Sequence, residues 1–313
     1  KQCKVCGKGH FSNAEAEKCT ACGKGKYGNG VGSTSALDCI DCVVGKYLAD
    51  VGASSSSACI DCPKARYAVA AGSINADACI GCLAGKYSNQ TGSGSASDCI
   101  DCGQGRFSTI EGAISSSTCL ACDAGKHLSS TGASSPAECI SCAAGSHQSA
   151  SGSSSCLACT AGFFDSKVGS NATACDACSK GSYQDLSGQS FCRSCPGGYY
   201  RARPDVGTSC LVCGSGQYSG AEADGCIICG PGSTTDKLSG TGSSSCVLCT
   251  KGKYSSESTQ ACQSWSAGSV TNTLAAPGAS TCKKCQAGTY SDTSTSACIA
   301  CTPGTYLADA GAS

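Results

Sequence analysis

Residues 82–102 read Cys82-Leu-Ala-Gly85-Lys-Tyr87-Ser-Asn-Gln-Thr-Gly92-Ser-Gly-Ser-Ala-Ser-Asp-Cys99-Ile-Asp-Cys102. Three cysteines, three glycines, one aromatic and a run of small polar residues make a unit with almost nothing to bury except sulfur. The same unit fills the chain. Cys-x-x-Cys pairs begin at Cys3, Cys19, Cys39, Cys59, Cys79, Cys99, Cys119 and Cys139, and again at Cys156, Cys175, Cys192, Cys210, Cys226, Cys246, Cys282 and Cys298. The pair at Cys262 is broken, because Trp265 stands where its second cysteine belongs. From Cys19 to Cys139 the period is 20 residues, and beyond Cys139 it varies from 16 to 20. Self-similarity at such a period marks a repeat architecture, with each repeat one supersecondary unit that needs its neighbours.

Composition says how such units hold together. The 313 residues include 33 Cys but only five Phe, eleven Tyr, one Trp and no Met. Ordering the backbone costs about 1–2 kcal/mol per residue, more than so few bulky side chains offset. Disulfides reduce the entropy of the unfolded chain instead, by roughly 2–4 kcal/mol each. They persist in oxidising surroundings, so the expected location is extracellular or the cell surface. Lys plus Arg equal Asp plus Glu at 22 each, so no net field draws in nucleic acid or an anionic membrane. No apolar run reaches the roughly 20 residues of a membrane span. The first residues enter in mid-unit, and Tyr306 onward repeats Tyr47 to Ser54 before stopping short of a cysteine, so both ends read as cut within a repeat.

Each unit position has a physical reading. Gly85 and its equivalents Gly25, Gly45, Gly105, Gly125, Gly145, Gly162 and Gly181 suit a tight turn with positive φ beside a cystine. The aromatic two residues on (Tyr27, Tyr47, Tyr67, Tyr87, Phe107, Tyr183, Tyr254, Tyr290) is expected over the disulfide and the next unit. His127 and His147 take that slot in two units, where packing is their default role. Gly32, Gly52, Gly72, Gly92, Gly112 and Gly132 mark a second turn, followed by a Ser-rich return. The expected fold class is small disulfide-rich β repeats with short hairpins and almost no helix. The units, of about 16–20 residues, stack into an elongated solenoid-like rod in which each touches only its neighbours. The period divides the chain into regular repeats over 1–141 and variable ones over 142–313.

The order Cys-x-x-Gly-x-aromatic, Gly, Cys-x-x-Cys resembles the ephrin-receptor-like cysteine-rich repeat, itself similar to half an EGF module and to tumour-necrosis-factor-receptor modules. Long arrays of this kind resemble those of protist and algal surface proteins, including flagellar hairs (mastigonemes). By similarity to the EGF half-module, the second Cys of a pair bonds the first of the next. The resemblance thus implies Cys6–Cys19, Cys22–Cys39, Cys42–Cys59, Cys62–Cys79, Cys82–Cys99, Cys102–Cys119, Cys122–Cys139 and Cys142–Cys156. It continues with Cys159–Cys175, Cys178–Cys192, Cys195–Cys210, Cys213–Cys226, Cys229–Cys246, Cys249–Cys262 and Cys285–Cys298. The rival is the crossed pairing of tumour-necrosis-factor-receptor modules. Trp265 separates them, because sequential pairing strands Cys282 as a free thiol, whereas crossed pairing strands Cys285 or Cys249.

Catalytic chemistry finds no support: no nucleophile elbow, no phosphate-cradling glycine motif and no paired carboxylates in a suitable context. The chain reads as no enzyme, with no cofactor and no metal. Zinc ribbons share Cys-x-x-Cys spacing but use isolated sets of four thiolates, and a continuous ladder of pairs does not. The basic row Lys26, Lys46, Arg66, Lys86, Arg106 and Lys126 suits either a sulfated or uronic glycan or a solvated face balanced by Asp41, Asp61 and Asp101. Asn89-Gln-Thr91 and Asn171-Ala-Thr173 are acceptor sequons for glycosylation in expected loops. Ser/Thr clusters such as 54–57, 115–118 and 243–245 suit O-glycans or plain polar loops, and Pro231, Pro277 and Pro303 precede Gly in turns. The expected function is a structural subunit of an extracellular filament, flagellar hair or cell-surface coat. Its partners would be copies of itself or other filament proteins, together with covalent glycans. The alternative is an ectodomain stalk of an adhesion or signalling receptor that binds glycan or protein.

Overall fold

The computed structural model describes residues 2–203, 207–238 and 240–311. Lys1, Ala312 and Ser313, on which part of the reading of the ends rests, lie outside them. Two compact units are present. One comprises Lys1–Ala143, His147–Leu157 and Val168–Thr173, the other Ala144–Ser146, Ala158–Lys167 and Ala174–Ser313.

Each repeat is one antiparallel two-stranded hairpin, and the described residues contain sixteen of them. In the first unit Lys46–Tyr47 pairs with Ile60–Asp61, placing Lys46 opposite Asp61 and Tyr47 opposite Ile60. Lys86–Tyr87 pairs in the same register with Ile100–Asp101. Two-residue strands cannot stand alone, since isolated hairpins are marginal in water, and the backbone shows what supplements them. Gly45 N–H donates to Ala68 O of the next hairpin and Cys62 N–H donates back to Gly45 O, both at 2.8 Å. Tyr47 also makes a parallel bridge to Ser73 in that next hairpin.

Contacts reach further than nearest neighbours, which corrects the nearest-neighbour expectation. Gly85 has φ +84, and a Cβ built on it would sit 2.1 Å from Gly132 O, two hairpins on. The physical reason is the missing side chain, which lets one turn nest on the carbonyl of another. Ala65 holds the same slot with φ 59 and is fully buried.

A second difference is a short turn absent from the expectation. The Ser-rich return folds into 3-10 turns at Ala36–Asp38, Ser56–Ala58, Ala76–Ala78, Ala96–Asp98, Ser116–Thr118 and Pro136–Glu138. Ser35, Ser95 and Ser135 cap three of them, and Asp38, Asp98 and Glu138 reach back to complete capping boxes. The turn explains the 20-residue period. Cystines that enclose it span 17 residues, as Cys122–Cys139 does, whereas Cys142–Cys156 lacks it and spans 14. In the second unit Cys229–Cys246 regains 17 by another route, with the longer strands Ser233–Thr235 and Cys246–Leu248.

The core is sulfur and small side chains. Cys62, Ala68 and Cys79 form one cluster under Tyr47; Ala65, Cys82 and Cys99 form another under Tyr67. Cys122, Leu128, Ala133 and Cys139 lie under Phe107. Each aromatic therefore covers the next hairpin's cystine. The residue after the aromatic is buried in hairpin after hairpin, as Leu48, Ala68, Ser88, Ser108 and Leu128. In the second unit Gln184 fills that slot, donating from Nε2 to Phe191 O at 2.8 Å.

Candidate functional site

The chemistry-bearing groups sit on a cystine ladder. Fifteen disulfides join the second cysteine of one pair to the first of the next, from Cys6–Cys19 to Cys249–Cys262 and then Cys285–Cys298, with Cα–Cα distances such as 5.8 Å at Cys42–Cys59. Cys3, Cys282 and Cys301 carry no disulfide. Cys282 is half-buried at the start of a strand, opposite Thr271. Trp265 is half-buried in the slot where other hairpins hold a fully buried cysteine. Residues 265 and 282 are 17 apart, the separation of Cys42–Cys59. Trp265→Cys should therefore close a further disulfide with Cys282. Loss of one alkylatable thiol and a gain of up to about 3 kcal/mol in stability check this. Retention of that thiol in the folded variant would contradict it.

Five of the six residues of the basic row are engaged within their own hairpins. Lys26 meets Asp41 at 2.7 Å, Lys46 meets Asp61 at 2.5 Å, and Lys86 meets Asp101. Where the cross-strand residue is Gly81 or Ala121, the basic residue is Arg instead, and Arg66 and Arg106 donate to Cys79 O and Cys119 O at 2.9 and 3.0 Å. The reach of the guanidinium replaces the missing carboxylate. These pairs are too exposed to add much stability. A Lys46→Met, Asp61→Asn double-mutant cycle should give a coupling of about 0.2–1 kcal/mol that shrinks in high salt. A coupling that salt leaves unchanged would contradict this placement.

One exposed row is apolar. Ile40, Ile60, Ile80, Ile100, Leu120 and Ile140 follow the first cysteine of successive pairs and are 42–56% exposed. They stand opposite the aromatic slot, Ile60 facing Tyr47 and Ile140 facing His127. Asn89 and Asn171 are both exposed outside strands. In the second unit, Asp236 accepts bonds from Ser244 Oγ at 2.7 Å and Ser244 N at 3.2 Å, and the Ser244 hydroxyl chiefly holds its carboxyl below the usual carboxylate range.

Each histidine has a polar neighbour at Nδ1. His10 Nδ1 lies 3.3 Å from Lys8 O and His147 Nδ1 2.9 Å from Ala172 O, while His127 Nδ1 lies 3.2 Å from Cys156 Sγ. No described helix is long and apolar enough to cross a membrane.

A family model described as tyrosine-protein kinase ephrin type A/B receptor-like matches residues 136–175 and 169–207. No curated protein matches the chain. The two adjacent matches cover residues 136–207, and the chain as a whole is a disulfide-rich tandem repeat of like hairpins. That repeat and its fifteen disulfides point to an oxidising extracellular or cell-surface setting.

Proposed function

We propose that this tandem array of ephrin-receptor-like cysteine-rich repeats is a structural subunit of an extracellular filament, flagellar hair or cell-surface coat. The observation that carries the reading is the row from Ile40 to Ile140, which offers one half-exposed aliphatic group per hairpin at a constant 20-residue spacing. A partner with the same period would cover every rung at once, which suits copies of this chain or related filament proteins. The Lys–Asp pairs flanking the row leave it without a net charge to repel a like surface. Asn89 and Asn171 are exposed acceptor sites whose covalent glycans would limit which faces pack.

A receptor ectodomain stalk is the second reading, favoured by the family match to ephrin-receptor-like units. Negative-stain electron microscopy and sedimentation of native material separate the two. The filament reading expects ordered polymers that dissociate when Ile60, Ile80 and Ile100 are replaced by Ser. Monomers at every concentration, recovered with membranes, would favour the stalk and overturn the filament. Peptide N-glycosidase treatment should convert Asn89 and Asn171 to Asp, read by peptide mass.

A further inference from the structure

His127 occupies the slot that Tyr47, Tyr67 and Phe107 fill in other hairpins, each over the cystine of the hairpin that follows. Its ring lies in the same way against Cys142–Cys156, with Nδ1 3.2 Å from Cys156 Sγ. Nδ1 or Nε2 of His127 and both sulfurs fall within 4.8 Å of one another. An imidazole binds transition metals, and the phenyl ring that performs the same packing at Phe107 does not.

A second observation concerns access to the sulfur, which Cys156 shares with the first cysteines of other pairs that lack the 3-10 turn, such as Cys175 and Cys192. Cys39, Cys59, Cys79, Cys99, Cys119 and Cys139 are buried behind the 3-10 turns that precede them. Cys142–Cys156 lacks that turn, and Cys156 is half-exposed while Cys142 stays fully buried. A reagent can therefore reach one sulfur of the pair. His147, the other histidine in an aromatic slot, has its Nδ1 on Ala172 O instead.

We propose that Cys142–Cys156 is a thiol-gated metal site, which a dithiol opens to give two thiolates that bind one zinc-class ion together with His127. One thiolate of the dithiol attacks Cys156 Sγ, forming a mixed disulfide and expelling Cys142 as a thiolate that takes up a proton. The dithiol's second thiolate then attacks its own sulfur in that bond, closes a cyclic disulfide and releases Cys156. Two electrons pass to the protein, and the dithiol is the species oxidised. Metal binding displaces the remaining thiol protons and uses the neutral imidazole. Bond lengths of about 2.3 Å to sulfur and about 2.0 Å to nitrogen place tetrahedral ligand atoms roughly 3.5–3.8 Å apart. Side-chain rotation after S–S cleavage reaches that spacing, since the two Cα atoms stand 5.7 Å apart. Cys142 anchors the site from inside, and the half-exposed His127 and Cys156 leave the fourth position to solvent.

The test uses the full oxidised chain, opened with limiting dithiothreitol, desalted under argon and titrated with Co2+ alone. The expected result is one tightly bound ion per chain, with thiolate-to-cobalt charge transfer and tetrahedral visible bands. Cys142 and Cys156 should then be the cysteines that Co2+ protects from iodoacetamide. His127→Phe, which copies the chain's own choice at Phe107, should keep the oxidised disulfide map. It should weaken Co2+ binding by at least about tenfold, since removing only a ligand's orienting partner already costs that much. Equal Co2+ affinity in His127→Phe would overturn the proposal. So would protection of other cysteines, or a Cys142–Cys156 bond that stays closed while others open. The protection map on the natural chain decides the matter even if the variant misfolds.

Discussion

Gly85→Val should destabilise its hairpin by about 3–5 kcal/mol, among the largest single-residue effects expected in the chain. Two contributions add. A β-branched residue at φ +84 is an outlier that costs about 1–3 kcal/mol of backbone strain. Its Cβ would also sit 2.1 Å from Gly132 O, a backbone atom that moves only if the hairpin two places on moves with it. Overpacking of that kind costs about 1–3 kcal/mol more. Gly85→Ala should be milder, at about 1–2 kcal/mol, because Ala65 shows that the slot admits one methyl group. Native-state hydrogen exchange reads the difference. The amides of Gly85, bonded to Ser108 O, and Gly132, bonded to Cys102 O, should exchange roughly 150- to 5000-fold faster in Gly85→Val. Unchanged protection at Gly132 would show that the long-range nesting contributes nothing.

The second large effect concerns one rung of the ladder. Removing Cys82–Cys99 by Cys82→Ala with Cys99→Ala releases a cross-link of sequence separation 17, worth about 3 kcal/mol in chain entropy. It also empties the sulfur volume beneath Tyr67 and beside Ala65. Limited proteolysis should cut the variant within residues 83–98 while more distant hairpins stay resistant, because each keeps its own disulfide. Uniform digestion of the whole chain would mean that the hairpins do not hold independently of this bond.

Much of this was legible in the sequence because the repeat prints one solution many times. The positive-φ glycines, the aromatic over the cystine and the hairpin strands each follow from one residue's chemistry at a fixed offset. Features that depend on several residues, or on distant ones, were not legible. The buried slot after the aromatic holds Leu48, Ser88 and Gln184 in turn, so its chemistry varies and only its position is constant. Burial there comes from backbone bonding, with Leu48 N donating to Ser73 O of the next hairpin. The 3-10 turn carried a signal that could have been read. Ser three residues before Asp or Glu, as in Ser95 and Asp98, is a capping box in miniature. The alternation of Lys opposite Asp with Arg opposite Gly or Ala was equally visible once strand register was known. The nesting of Gly85 on Gly132 was not, since no local pattern specifies a contact two hairpins away.

The role of the ladder is also legible in what the core lacks. The largest fully buried side chains are Gln184, Thr235 and Thr271, followed by cysteines. Polar groups of that size add little hydrophobic stabilisation, and Leu48 and Leu128 are the only leucines among the buried residues described. The cystines take the place that an aliphatic core holds in most domains.

Hydrogen exchange on the same chain before and after complete reduction and alkylation tests that substitution most directly. The intact chain should protect the amides of Gly45, Cys62 and Gly92, and the alkylated chain should lose that protection throughout. Persistence of the same protected amides without any disulfide would contradict the account.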